Sequence, residues 1–309
     1  EHVAVVTAFL QRLWDRGEIY DGVYAGWYCV SDERYWTDKD LGPENTCSIC
    51  GRKVTYVEER NYFFKMSNYQ DALVRHIEDN PDWIIPEIRR NEVLGFLRQP
   101  LADLSISRPR SRVPWGIPLP FDEDHVAYVW VDALINYLTA SGAIDPEAPP
   151  GQQGFEDVSD SWWPCDLHLI GKDIIRFHTV YWPAFLMSAG VDLPKQVYGH
   201  GFLLNRGQKE SKSLGNVTDP NMLAEQFGVD ALRYFLMREI AFGQDGSYSP
   251  EAIVTRANAE LANSFGNLAQ RTLSMIAKNL DGELGAYTPA GDDKALLTTV
   301  KEAVDNSLD

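Results

Sequence analysis

Apolar residues recur at helical spacing as soon as the chain begins: Val3, Val6, Leu10, Leu13 and Trp14 form one stripe and predict a helix entered midway. From Tyr20 to about Phe64 that period is lost, and turn residues, aromatics and cysteines take over. A helical pattern returns over Tyr69–Leu97, broken at Pro81 and Pro86, since proline lacks a donor and clashes with the preceding turn. Leu101–Pro120, rich in proline and arginine, predicts only short extended pieces. At Val126 the pattern becomes α/β. Val126–Trp130 reads as a buried strand, Asp132–Thr139 as a helix stopped by Gly142, and a loop rich in Gly, Pro and acid follows to Ser161. Leu167–Ile170 and Gln196–Phe202 read as further strands, the first turned by Gly171 into a helix carrying Ile174, Phe177, His178 and Tyr181. Such alternation is the signature of a doubly wound parallel sheet, whose ligands sit beyond the carboxyl ends of its strands. Past Pro250, Leu261, Phe265, Leu268, Leu273 and Ile276 at near-heptad spacing predict a helical bundle. Leu296–Leu308 is again amphipathic with no natural stop, so the chain reads as an internal segment of a longer protein.

Composition narrows the partners. With 309 residues, 44% hydrophobic and 24% charged, the chain can bury a substantial core in one or two domains. A net charge of −17 argues against a general nucleic-acid coat or an anionic-membrane binder. It leaves room for local basic clusters, at Arg89-Arg90, at Arg108, Arg110 and Arg112, and around Lys209–Lys212. No run reaches the roughly 18 apolar residues of a membrane span, and no signal segment opens the chain, so a cytoplasmic protein is expected. The four cysteines are too sparse for a disulfide scaffold and partly spaced as metal ligands.

Candidate chemistry concentrates in a few segments. Gln208–Asn216 puts Lys209 and Lys212 three residues apart among small and polar residues between Gly207 and Gly215. Two ammonium groups on such a loop suit a polyanion whose charge shifts during phosphoryl chemistry, and a solvated Lys/Ser loop is the competing reading. Gly171 permits close backbone approach at a strand end, where Lys172 and Asp173 meet a helix N-terminus that favours anions; Asp173 as a plain cap is the alternative. Trp130, Ala133, Leu134 and Tyr137 stand at i, i+3, i+4 and i+7, on one helix face, either a pocket wall or a core stripe. Cys47-Ser48-Ile49-Cys50-Gly51 is half of a zinc knuckle; the other half, Cys29-Val30-Ser31-Asp32, ends in a carboxylate. A mixed site of Cys29, Asp32, Cys47 and Cys50 is chemically open to Zn²⁺, and reduced cysteines packing a knuckle is equally open. Cys165 lies outside that cluster and reads as a small buried hydrophobe.

Lys209–Ser213 resembles the Lys-Met-Ser-Lys-Ser loop of class I aminoacyl-tRNA synthetases, with Glu210 in the methionine slot. Asp103–Pro118, Val129–Tyr137, the Gly171-Lys172-Asp173 block with His178 five residues on, and Phe227–Leu236 are similar to the methionyl branch, bacterial type, in the right order. The resemblance covers essentially the whole chain. It implies a Rossmann-type fold present mainly as its second half, divided as 1–112 (connective insertion, cysteine knuckle at about 20–65), 113–208 (second half of the nucleotide fold), 209–249 (lysine loop and stem-contact region) and 250–309 (start of a helical anticodon-binding domain). It implies ATP-dependent ligation of L-methionine to tRNA(Met) through methionyl-adenylate, with Mg²⁺ accompanying ATP and the knuckle open to Zn²⁺. By that resemblance Lys209, Lys212 and Arg108 act on the reacting phosphate and carboxylate, while Gly171, Lys172, Asp173, Ser211 and Ser213 hold ATP or the adenylate. Trp130, Ala133, Leu134, Tyr137, Ile174 and His178 line the methionine pocket, and Asn263, Asn267 and Arg271 face the anticodon. A thioether pocket of this kind makes physical sense, because aromatic rings on sulfur add about 0.3–1.5 kcal/mol and a tyrosine held by histidine offers a directed hydrogen bond. The family's His-Ile-Gly-His-type ATP motif occurs nowhere in the chain, so the segment alone is expected to lack pyrophosphate exchange. A homodimer formed beyond Asp309 is compatible with the resemblance. Two rivals remain: a leucyl, isoleucyl or valyl synthetase, and a non-catalytic tRNA-binding paralogue.

Overall fold

The computed structural model describes residues 1–308 apart from 33, 37, 149–154, 156–160, 211–215, 287 and 289. The chain divides into two compact units, Glu1–Phe202 with Phe242–Asp245, and Leu203–Ala241 with Gly246–Asp309.

The first unit is built around helix α1 (His2–Asp15), whose buried face is Val5, Val6, Phe9, Leu10 and Leu13. Val3 is exposed and Trp14 stacks on Phe121 at 4.3 Å, so the helix is turned slightly from the face that the sequence predicts. With seven apolar residues in its first 14, two overlapping stripes were available, and packing against the rest of the unit selected one. β1 (Ile19–Cys29), β2 (Arg34–Trp36), β3 (Thr55–Phe64) and a later strand, β5 (Leu104–Ser105), form an antiparallel sheet in the order β2-β1-β3-β5. On one face of it the Phe63 ring is stacked between Tyr20 and Tyr24, filling the space over Gly22.

The zone predicted as helical contains α2 (Gln70–Asp79), a two-residue strand β4 (Ile84–Ile85) and α3 (Glu87–Leu97). Short strands β5 (Leu104–Ser105), β6 (Ser107–Pro109), β7 (Pro118–Leu119) and β8 (Asp122–Ala127) follow, then α4 (Val129–Ser141), closed by left-handed Gly142. The strand expected over Val126–Trp130 therefore ends at Ala127. It also runs antiparallel to β6 and β7, outside the parallel sheet. A five-residue apolar run fits a strand or a helix end equally, and pairing with β6 decides where this one stops. β9 (His168–Gly171), α5 (Trp182–Ala189) and β10 (Val197–His200) complete the unit. The parallel sheet runs β4-β10-β9, both outer strands parallel to the central one, with Ile84, Ile170 and Val197 buried.

In the second unit β11 (Leu203–Asn205) pairs antiparallel with β12 (Gln208–Lys209) through the turn at Arg206 and Gly207. α6 (Pro220–Phe227) is capped by Asp219, whose carboxylate accepts from the Asn221 amide at 2.8 Å, and α7 (Val229–Glu239) follows. Phe227–Leu236, the stretch similar to the family, therefore falls on two helices. Gly228, at φ +84°, separates the two helices, and Asp230 lies in the first turn of α7 without capping it. β13 (Gly246–Tyr248) adds parallel to β11, and α8 (Pro250–Arg256), capped by Ser249, runs through a π-helical stretch at Ala257–Gly266 into α9 (Asn267–Leu280). α10 (Asp292–Leu308) comes last. Leu232, Phe235, Tyr248 and Ile253 make a small core. Phe265, Leu268 and Leu273, three of the near-heptad positions, lie exposed on these helices.

Candidate active site

α4 and the turns after β9 bring four of the predicted pocket residues, Trp130, Tyr137, Ile174 and His178, near one another, and leave Ala133 and Leu134 apart. Trp130, from the first turn of α4, stacks on Phe177 with ring centres 3.9 Å apart. Two turns further along α4, the Tyr137 hydroxyl lies 2.8 Å from His178 Nε2. His178 is buried, and its Nδ1 lies 3.0 Å from the Ile174 carbonyl, which can only accept. Nδ1 therefore carries the proton, Nε2 is the acceptor, and the Tyr137 hydroxyl donates to it. This corrects the sequence expectation in one respect: the tyrosine and histidine do pair, but the phenolic proton is committed to the ring. What Tyr137 offers a ligand is an acceptor oxygen and an aromatic face.

His168, at the start of β9, packs its ring 4.3 Å from that of Tyr137 and 5.6 Å from that of His178. Burial, with a smaller contribution from His178, pushes the His168 imidazole down to about 4. Burial also lowers His178, and it raises the Tyr137 phenol, so this cluster is uncharged at neutral pH. Trp163 and Trp182 close it, with edge-on rings 5.9 Å apart. Leu134 is 1% exposed and belongs to the core, whereas Ala133 is exposed at the edge of the helix. Cys165 is half-buried, 3.7 Å from the His168 ring nitrogens.

At the C-terminal end of β9, a side chain at Gly171 would place its Cβ 2.6 Å from Asp173 Oδ1, so the glycine lets the exposed Asp173 carboxylate fold back over the strand end. Lys172 is already partnered. Its Nζ lies 2.6 Å from Asp245 Oδ2 and over the Phe202 ring, and Asp245 Oδ1 accepts from the Phe202 amide at 2.8 Å. The Lys172 ammonium, followed by that amide, holds the Asp245 carboxyl below its usual range. Gly201 makes this possible, because a Cβ there would stand 2.2 Å from the Gln244 carbonyl oxygen. Arg108, in β6, lies over the Tyr128 ring at 4.4 Å and donates to the Ser107 carbonyl and the Ser105 hydroxyl. Arg112 lies over Tyr28, while Arg110 is exposed.

The cysteine knuckle assembles as a cluster. One ligand atom each from Cys29, Asp32, Cys47 and Cys50 lie within 4.8 Å of one another. Asp32 Oδ2 accepts from the thiols of Cys47 at 3.0 Å and Cys29 at 3.3 Å, and Cys29 and Cys50 sulfurs are 3.6 Å apart. Tetrahedral zinc with Zn–S bonds of about 2.3 Å needs sulfurs roughly 3.8 Å apart, so this donor set fits the ion. The thiol hydrogen bonds keep the Asp32 carboxyl low.

In the second unit Lys209 ends β12 as an exposed residue, while Ser211, Lys212 and Ser213 lie outside the described residues. Asn263, Asn267 and Arg271 are exposed, and Asn267 donates one amide hydrogen to the Asn263 carbonyl at 2.8 Å. Sequence reasoning gave no role to Phe177, His168, Trp163 or Asp245. Phe177 and His168 lay inside a segment already singled out. Asp245 sits 73 residues from Lys172 and gave no signal.

The sequence profile of the tRNA synthetases class I (M) matches residues 40–273, and the chain belongs to that family. Its similarity to individual members runs to named methionine–tRNA ligases. It is 51% identical to that of Rhizobium meliloti (strain 1021) over 98% of this chain and 58% of that protein, and 54% identical to that of Mycobacterium bovis over 94% and 55%. Among solved structures, Mycobacterium tuberculosis methionyl-tRNA synthetase bound by methionyl-adenylate superposes with a TM-score of 0.85 at 50% identity, over 99% of this chain and 59% of that one. The chain thus spans somewhat over half the length of these relatives. No described helix is long and apolar enough to cross a membrane.

Proposed function

We propose that the chain is part of a methionine–tRNA ligase and supplies its amino-acid pocket, one strand end of its nucleotide site and its lysine loop. The observation that supports this reading is the uncharged aromatic cluster on α4 and the segment after β9, where Trp130 stacks on Phe177 and Tyr137 is hydrogen-bonded to His178. It suits an apolar side chain with a polarisable sulfur, since ring–sulfur contacts add about 0.3–1.5 kcal/mol where shape alone separates one methylene by about 1–3 kcal/mol. The relative that binds methionyl-adenylate supports the same substrate.

In the reaction, a methionine carboxylate oxygen would attack the ATP α-phosphorus, the bond from that phosphorus to the α–β bridging oxygen would break, and pyrophosphate would leave; Mg²⁺ bound with ATP would offset the phosphate charge. The terminal ribose hydroxyl of tRNA(Met) would then attack the carbonyl carbon, giving up its proton to solvent as AMP departs. Asp173 would accept from the ribose hydroxyls beside Gly171. Lys172 is positioned by Asp245, and Arg108, its guanidinium over the Tyr128 ring, would meet the carboxylate. Lys209 and Lys212 would stabilise charge on the phosphate chain by position and electrostatics alone. Asn263, Asn267 and Arg271 would read unstacked anticodon bases, for which exposed amides and guanidinium are suited. Cys29, Asp32, Cys47 and Cys50 would hold a structural Zn²⁺ that cross-links the knuckle.

ATP–pyrophosphate exchange by a chain extended to the full length of its relatives tests the proposal. Exchange should depend on methionine and be weak with leucine, isoleucine or valine, and Trp130→Ala should raise the KM for methionine. Exchange driven better by one of the other three amino acids, or by none, would overturn it.

A further inference from the structure

The lysine loop departs from the motif it resembles at Glu210, and that carboxylate has a defined partner across the loop. One Glu210 oxygen accepts from the Thr218 hydroxyl, and the other accepts from the Thr218 backbone amide at 3.3 Å. The neck is tied again nearby. Asn216 Nδ2 donates to the Lys209 carbonyl at 3.1 Å, and Asn205 Nδ2 donates to the Asn216 carbonyl at 3.1 Å. Residues 209–210 on the way in and 216–218 on the way out are therefore joined by side-chain hydrogen bonds. Thr218 is fixed from its other side as well, because the next residue is Asp219, the cap of α6. A methionine at 210 would offer no comparable acceptor, and would leave the Thr218 hydroxyl and amide to water. A carboxylate gives a charge-assisted pair, among the stronger hydrogen bonds available to a half-exposed loop.

We propose that Glu210 is a positioning residue: its carboxylate clasps Thr218 and fixes the separation of the two stems, so that Lys209 leaves β12 in one direction rather than many. The substitution thus replaces an apolar residue by a specific tie, one that lowers the entropy lost when the loop engages a phosphate chain. Its catalytic consequence rests on the proposed methionine-activating reading; the clasp itself does not.

Hydrogen exchange followed by mass spectrometry on this chain, with Glu210→Met, Thr218→Val and Thr218→Ser, reads the clasp directly. Met keeps the length but offers Thr218 no oxygen, Val removes the hydroxyl, and Ser keeps it. Exchange across residues 209–218 should quicken about threefold to tenfold in the first two variants, the worth of one net hydrogen bond, and stay near wild type in Thr218→Ser. In the full-length enzyme the same two variants should lower kcat for pyrophosphate exchange by a similar factor, with the KM for methionine unmoved and Thr218→Ser rescued. Wild-type protection in Glu210→Met overturns the clasp. Faster hydrogen exchange with wild-type kcat overturns the positioning role. A full-length wild type inert toward methionine would instead overturn the methionine-activating reading, while hydrogen exchange still decides the clasp.

Discussion

Acid should destabilise the first unit well before its carboxylates titrate, because its pocket is built on imidazoles kept neutral. An unfolded histidine titrates near 6.5, whereas burial beside His178 holds folded His168 down to about 4. As pH falls through 6.5 the unfolded chain takes up a proton that the folded one refuses. The stabilising contribution is therefore whole above about pH 6.5 and is lost progressively toward pH 4. At pH 5 the unfolded ring is about 1.5 units below its own pKa while the folded ring is still neutral. At about 1.4 kcal/mol per unit this removes roughly 2 kcal/mol relative to pH 7. His178 and His76, both lowered chiefly by burial, shift stability in the same direction. Asp103 and Asp122, lowered by their hydrogen bonds to Ser67 and Tyr62, weaken the fold only below their ordinary value of 3.8, outside this window. Urea unfolding at pH 7 and pH 5, followed by tryptophan fluorescence, isolates the effect, since all nine tryptophans lie in the first unit. His168→Phe keeps a ring against Tyr137 but does not titrate. Its loss of stability between the two pH values should be smaller than that of wild type by about 2 kcal/mol. Equal losses in the two proteins would refute the claim that His168 is buried neutral.

Tyr137→Phe leaves buried His178 Nε2 without its donor, at a cost of about 1–3 kcal/mol, and should lower the melting temperature of the first unit by several degrees. The same variant in the full-length enzyme should raise the KM for methionine more than it lowers kcat; a wild-type melting temperature would show that the hydrogen bond does not exist in solution. For the knuckle, Co²⁺ added to the reduced chain should give tetrahedral thiolate absorption at one equivalent, and elemental analysis should find one zinc. Both should disappear in Cys47→Ser, whereas an absent signal in wild type would mean that the thiols only pack.

Much of the site was legible because its residues sit in contiguous blocks. Trp130 and Tyr137 lie two helical turns apart, and Gly171, Asp173 and His178 share one strand–turn–helix segment, so local spacing grouped the residues within each block, and the family resemblance implied that the two blocks meet. The partners came from afar. Phe177 under Trp130 is 47 residues away in sequence and Asp245 under Lys172 is 73, and no local pattern encodes such pairs. Nor did Glu210 reveal its purpose in the sequence, since a carboxylate eight residues before a threonine is meaningful only once the loop closes on itself.

The sequence by itself determined the helices with a strong stripe, the parallel β9–β10 pair, the grouping of Cys29, Asp32, Cys47 and Cys50, and the family, because each is written in short-range spacing. Tertiary structure decided which of two stripes α1 buries, that Val126–Ala127 ends an antiparallel hairpin, and that the Tyr137 hydroxyl donates to His178. Those outcomes depend on what lies opposite in space. A helix face, a strand end and a tautomer are each chosen among locally equivalent states by a partner that local spacing does not name.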